Sequence, residues 1–371
     1  MSLQKNSAAV RCFAILMKFA LWLQNMPNKL TPPPFRIIQI GSAFWQSRVL
    51  YVAVKLDIAS VLADETLAVD VLAARVSAEQ SALYRLLRML AAMGVFAEVS
   101  HGLFKNNQLS AYLREDNPNN VRAMILMHNS EEMSRPWLDS LEHGVRSGQV
   151  PFQIAHGQEF YRYMDDYKAF DALFARAMDC VEALAGDSFA RDFDWGRFDR
   201  VIDIGGSQGA KSLSVLKRYT HLTALVYDRS QVIETAVKYW SGKVSPALLS
   251  RMTFQAGDML ESVPAAKDDK DIYLLCAVLH GMNDEQCVNV LRKLAAACTG
   301  TNASIAVMEI IVPEKNADFS SAAFDMQMFI ATSGRERTCL EWSSLFEQSG
   351  LIVQEEVGLQ SLGKIMVLKP N

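Results

Sequence analysis

This sequence is poor in the arrangements that build metal or disulfide frameworks. Its six cysteines (12, 180, 276, 287, 298 and 339) form no C-x-x-C pair and no zinc spacing, and its six histidines form no H-x-x-x-H pair. No metal site is expected, and the thiols read as reduced and mostly buried, as in a cytosolic protein. Acidic residues are missing from the start: none precedes Asp57, whereas Lys5, Arg11, Lys18, Lys29, Arg36, Arg48 and Lys55 do. Long apolar runs are missing too. Residues 10–23 are largely apolar, but Lys18 interrupts them, so stable membrane insertion is not expected. No small-residue cleavage pattern follows, which favours a partner-docking helix over a transit or signal peptide. Pro32-Pro33-Pro34 then ends that helix. A net charge of −4 over 371 residues gives no electrostatic case for nucleic acid.

What is present has a clear order. A chain this long favours more than one domain. After the extension at 1–34, residues 35–115 read as helices followed by a hairpin. Leu83, Leu86, Leu87, Leu90 and Gly94 keep the rhythm of one buried helical face, and Val95–Val99 and Leu103-Phe104 flank a turn at Gly102. Helix, helix, hairpin is the winged-helix pattern. Arg85 and Arg88 lie on the helix that would enter a DNA groove, but two arginines are a thin footprint, and a solvated face explains them. Residues 116–195 are helical and rich in large apolar groups, among them Met124, Met127, Met133, Trp137, Phe160, Tyr163, Phe170, Phe174 and Met178. Such residues build cores and also line pockets for flat apolar ligands.

From residue 196 the pattern becomes α/β. Strands are predicted at 200–204, 222–227, 252–255, 271–276, 303–309, 351–356 and 364–369, with a helix at 284–298. The last two strands lack a helix between them, so they predict an antiparallel hairpin at one edge of an otherwise parallel, doubly wound sheet. Val201–Gly209 runs from an apolar strand into a glycine turn, and Asp228 ends the next strand. That layout suits a nucleoside: glycines admit the ligand to the backbone, and the carboxylate takes ribose hydroxyls. The glycines read G-G-x-x-G rather than the G-x-G-x-x-G of dinucleotide sites. Further marks fall at or just after strand ends: Gly257-Asp258-Met259, His280 in Val-Leu-His-Gly-Met, and Glu309 closing its strand; a separate mark, Arg-Glu-Arg-Thr at 335–338, carries Glu336.

With these five marks in this order, residues 40–371 resemble the plant-type small-molecule O-methyltransferases and their microbial relatives, including phenazine-modifying enzymes. The resemblance implies a winged-helix dimerisation domain at 35–115, a helical substrate cap at 116–195 and a catalytic domain at 196–371 that binds S-adenosylmethionine (SAM). It implies Asp203, Gly205, Asp228, Asp258, Met259 and Cys276 for SAM and its product S-adenosylhomocysteine. It further implies His280 as general base, oriented by Glu309 and Glu336, with His128, Met326 and Phe329 on the substrate side. The expected enzyme is a cytosolic homodimer that methylates a hydroxyl of an aromatic or polyketide metabolite. Three departures from the pattern are visible: Cys276 stands where the family usually has Lys or Arg, Gly281-Met282 stand in place of Asp-Trp, and Ser207 replaces the middle glycine. They leave open a SAM-binding enzyme of the same fold with other chemistry. A winged-helix DNA-binding regulator is the remaining alternative, and the retained His280, Glu309 and Glu336 argue against it.

Overall fold

The structure is a computed structural model and describes residues 3–4, 8–240, 242–360 and 363–371; Lys5 lies outside them. The chain divides into two compact units, residues 20–184 and residues 1–19 with 185–371. A two-residue strand, β1 (Leu3–Gln4), precedes the helix Ala8–Leu30. That helix is longer than the predicted 10–23. Pro33 does not merely end it but opens the next helix, Pro33–Gly41, where its missing N–H costs nothing.

In the unit 20–184, β2 (Thr66–Ala68), β3 (Ala97–Ser100) and β4 (Leu103–Lys105) form an antiparallel sheet in the order β2-β4-β3. The helices Val69–Arg75 and Gln80–Ala92 precede the β3–β4 hairpin, as the helix-helix-hairpin pattern predicts. Leu83, Leu87 and Leu90 are buried on one helical face, while Leu86 is only half-buried. Gly94 does not continue that face: the helix stops at Ala92, and Gly94 takes φ +76° in the turn beyond it. Arg85 and Arg88 are exposed, and the Arg88 guanidinium lies 5.5 Å over the Tyr84 ring. Farther on, Met127, Met133, Phe160, Tyr163 and Phe170 are buried, so most of the large apolar groups of this stretch are core.

The other unit is built on one sheet. Its strands are β5 (Arg200–Ile204), β6 (Thr223–Asp228), β7 (Met252–Ala256), β8 (Asp271–Cys276), β9 (Ser304–Val312), β10 (Arg337–Thr338), β11 (Leu351–Gly358) and β12 (Gly363–Pro370). Together with β1 they run β1-β11-β12-β9-β8-β5-β6-β7, with β10 off β9. The strands β5 to β9 are parallel, and β12 is antiparallel to both β9 and β11. The hairpin is therefore placed as predicted, except that β1 caps β11 in parallel and becomes the outermost strand.

Burial on both faces explains the near-continuous apolar strands. On one face Ile202, Tyr273, Leu275, Ile305 and Val307 pack with Leu291, Trp342 and Phe346. On the other, Val201, Val226, Ile272, Leu274 and Ala306 pack with Leu213, Leu216 and Trp195. Adjacent residues such as Val201 and Ile202 thus serve opposite cores, as the two-residue period of a strand requires. The six cysteines are all free, but only Cys287 and Cys298 are buried and Cys12 is exposed, so the expectation of mostly buried thiols is corrected.

Candidate active site

Two clusters lie beyond the carboxyl ends of the parallel strands, where open α/β sheets place ligands. The first surrounds His280. After β8 the chain turns through Ala277, whose φ of +52° is in the left-handed region, and enters a single 3-10 turn at Leu279–Gly281. Glu309 projects from β9 beneath that turn. Its Oε1 accepts the backbone N–H groups of Val278 (3.0 Å), Leu279 (2.9 Å) and His280 (3.4 Å). Glu309 was expected to close its strand, but β9 runs on to Val312, where Ile311 and Val312 pair with β10. That pairing brings in Glu336. Its Oε1 lies 2.7 Å from His280 Nδ1, while Glu309 Oε2 stands 3.9 Å from the same nitrogen. Both carboxylates are buried, and among the described residues the second oxygen of each has no hydrogen-bond partner.

These neighbours set the ionisation. Burial pulls the imidazole pKa down, but the Glu309 charge and the Glu336 hydrogen bond outweigh it and lift His280 to about 9. Burial pushes Glu309 above the ordinary carboxylate range. With Nδ1–H donated to Glu336, Nε2 is the nitrogen left to exchange a proton. The three side chains also lie close enough together to hold a metal ion. The 2.7 Å contact is accounted for without one, as a charge-assisted hydrogen bond.

The second cluster surrounds the glycine turn. Gly205 has φ +69°, and a side chain there would meet Val278 at 2.9 Å and Met259 at 3.1 Å. Asp228 Oδ2 accepts the Ser207 N–H at 2.8 Å, and its Oδ1 accepts that of Arg229 at 2.7 Å. Ser207 itself carries φ +52°, so the residue replacing the middle glycine holds a left-handed conformation. Asp258 is exposed, its Oδ1 accepting Leu260 N–H at 2.8 Å, and Met259 is half-buried beside it.

Asp203 differs in kind from these. It is 1% exposed, accepts the Ser212 hydroxyl at 2.6 Å, and lies where a Gly206 side chain would fall, 2.6 Å from its Cγ. Its carboxylate supports the turn from below. Cys276 ends β8 and is half-buried. Met326 and Phe329 are half-buried on the helix Phe319–Ala331, three residues apart and so on one face. Asp325 of that helix accepts the Glu336 N–H at 3.0 Å, which brings the helix beside the His280–Glu336 pair. His128 is exposed, at the end of the helix Arg122–His128 in the other unit.

Comparison with known proteins decides the family. A family model described as an O-methyltransferase domain matches residues 138–352, and one described as an O-methyltransferase dimerisation domain matches residues 38–116. The chain belongs to the O-methyltransferase family.

Among curated relatives, a phenazine O-methyltransferase of Lysobacter antibioticus is 29% identical, over 90% of this chain and 95% of its own. A mitomycin biosynthesis 6-O-methyltransferase of Streptomyces lavendulae is 31% identical, over 84% and 87%. A phenazine-1-carboxylate N-methyltransferase of Pseudomonas aeruginosa is 27% identical, over 89% and 96%. Among solved structures, the mitomycin 7-O-methyltransferase has a TM-score of 0.82 at 28% identity, covering 90% of this chain and 97% of that one. An O-methyltransferase from neocarzinostatin biosynthesis, in complex with SAM and 2-hydroxy-5-methyl naphthoic acid, has a TM-score of 0.74 at 25% identity, over 88% and 96%. This chain is a SAM-dependent O-methyltransferase of secondary metabolism.

The glycine turn of this methyltransferase fits that cofactor. Val278 and Met259 leave no room for a Cβ at Gly205, so the backbone itself lines the turn, a carboxylate stands at the next strand end, and the Met259 thioether flanks the turn. Several contributors were hidden from sequence reasoning. A Gly257 side chain would fall 2.0 Å from the Tyr227 hydroxyl, which donates to Ser262 O at 2.8 Å. Trp240 Nε1 donates to Gln208 O within the turn at 2.5 Å. A Gly334 side chain would lie 2.0 Å from the His280 carbonyl oxygen. Gly334 opens the Gly-x-Glu-Arg-Thr run, the only local signal that could have marked it.

Proposed function

We propose that this methyltransferase alkylates a hydroxyl of a flat, largely apolar aromatic or polyketide metabolite, with His280 as general base. The observation that carries the reading is the His280–Glu336 contact of 2.7 Å in a buried site that Glu309 also faces. SAM, when bound, supplies an already activated methyl group, so the protein must align an oxygen and accept its proton. His280 Nε2 is the acceptor nitrogen. Glu336 fixes the tautomer by taking Nδ1–H, and both carboxylates stabilise the imidazolium that results. Glu309 also holds the turn on which His280 sits.

Gly205, Asp228, Asp258 and Met259 hold the nucleoside, with Asp228 on the ribose hydroxyls; Asp203 supports the turn and Cys276 borders the cofactor. Met326 and Phe329 face the acceptor, supported by their helix's contact with Glu336. The naphthoic acid complex of the neocarzinostatin relative supports an aromatic acceptor. The dimerisation domain match at residues 38–116 supports a homodimer, and the proposed division of each chain is extension, winged helix, cap and catalytic domain. No helix among the described residues is long and apolar enough to cross a membrane.

The test is transfer of a methyl label from SAM to a panel of phenolic acceptors by the native enzyme and by His280→Ala. The base assignment predicts label on oxygen and its near-complete loss in the variant. Undiminished transfer by the variant to a weakly acidic hydroxyl would overturn it.

A further inference from the structure

The turn that carries His280 is gripped from a second side. Arg337 is fully buried, and its guanidinium forks across the turn: Nη1 donates to Leu279 O at 3.1 Å and Nη2 to Met282 O at 2.7 Å. Nε and Nη2 both reach Asp284 Oδ1, at 3.0 and 2.7 Å. Asp284 is the first residue of the helix Asp284–Ala297, which Asn283 and Gln286 fix with a reciprocal capping box. The N–H groups of residues 278–280 are thus satisfied by Glu309, and the carbonyls on either side of His280 by Arg337. Arg337 also follows Glu336 directly. Consecutive side chains of an extended segment point opposite ways, so one short stretch delivers a carboxylate to the ring and a guanidinium to the backbone beneath it.

We propose that Arg337 and Asp284 are positioning residues that lock the His280 turn in register with Glu336, so that the imidazole and its carboxylate meet. The pair touches no reacting atom; it acts through the backbone of residues 279–282. The proposal rests on the reading of His280 as general base for its catalytic consequence, but not for its geometry. Only arginine suits the task. A guanidinium is a planar fork that spans two carbonyls and a carboxylate, whereas an ammonium is a point charge.

The groups around His280 that bear on its ionisation come from several elements. β9 contributes Glu309; the segment entering β10 contributes Arg335, Glu336 and Arg337. The helix Asp284–Ala297 contributes Asp284 and Cys287, whose thiol donates to Leu279 O at 3.2 Å, and the helix Phe319–Ala331 contributes Asp325.

The experiment titrates the His280 imidazole by NMR in the SAM-loaded enzyme and measures kcat against pH, for the native protein, Arg337→Lys, Asp284→Asn and Glu336→Gln. Arg337→Lys keeps the charge and loses the fork, so any displaced titration reports geometry. Asp284→Asn, half-exposed and outside the core, covers the case in which the lysine variant does not fold. Both variants should lower the His280 midpoint by about one unit and the plateau kcat by about 10–100-fold, with SAM affinity unchanged. A loss of melting temperature with titration and kcat unmoved would overturn the proposal and leave a merely structural clamp. The base reading fails separately, if His280→Ala retains kcat; a displaced titration in Arg337→Lys would still support the clamp.

Discussion

At the residue scale the proposed chemistry turns on His280. Replacing it with alanine should lower kcat by about 10²–10⁴-fold while SAM affinity, read by calorimetry, stays nearly constant. Glu336→Gln should cost less, because it keeps the shape while weakening support of the imidazolium. A base must be unprotonated to act, so the native rate should rise with pH through neutrality and level off above about 9. Stability runs the other way. A histidine raised by its partners stabilises fully below its unfolded value of about 6.5 and loses that contribution as pH rises through about 9. Melting temperature should fall across this window in the native enzyme, and that fall should vanish in His280→Ala. Asp228→Ala removes charge-assisted hydrogen bonds worth about 1.5–3 kcal/mol each. It also releases the Ser207 N–H and so loosens the turn. Its SAM dissociation constant should therefore rise by at least about tenfold; an unchanged value in calorimetry would remove Asp228 from the ribose.

At the scale of elements, the sequence pattern carried the strands and failed at the joints. β8 matches its predicted range, Asp271–Cys276, because a central parallel strand is buried on both faces and reads as a near-continuous apolar run. β9 outran its predicted end by three residues, since Ile310 still pairs with Gly363 of β12, and Ile311 and Val312 continue the strand because β10 is there to pair with them. No local window contains that partner. β1 was invisible for the same reason: two residues carry no period, and β11 supplies their register. The site divides likewise. His280 and Glu309 were legible as residue types at or just after predicted strand ends and Glu336 from the Arg-Glu-Arg-Thr run, but Arg337 read only as a basic residue beside Glu336, its fork across residues 279–282 being tertiary. Gly334 shows the closeness of that packing. Gly334→Ala should force the His280 turn to shift, costing about 1–3 kcal/mol of stability and depressing kcat more than SAM binding. A variant with native stability and native kcat would show that the turn tolerates displacement.

At the scale of the whole molecule, the N-terminal region presents apolar surface that a lone chain leaves to water. Ile15, Leu16, Ile37, Ile38, Phe44 and Trp45 are each more than half exposed. Beside a matched dimerisation domain, this predicts a two-fold interface of about 2,000 Å² or more. Light scattering at micromolar concentration should give twice the chain mass, and a clean monomer would leave that surface unexplained. The same scale separates the enzyme from a DNA-binding regulator of winged-helix type. With net charge −4 and only Arg85 and Arg88 on the helix that would enter the groove, no DNA shift is expected even at about 50 mM salt.

The most direct measurement follows a labelled methyl group from SAM into a phenolic acceptor, by mass spectrometry of the product formed by native enzyme and by His280→Ala across pH 6–10. The account predicts label on the hydroxyl oxygen, a native rate that climbs to a plateau above about 9, and a variant that binds SAM but scarcely transfers. Label on nitrogen or carbon, SAM bound with no label moved, or a variant as fast as the native enzyme on a weakly acidic hydroxyl would contradict it.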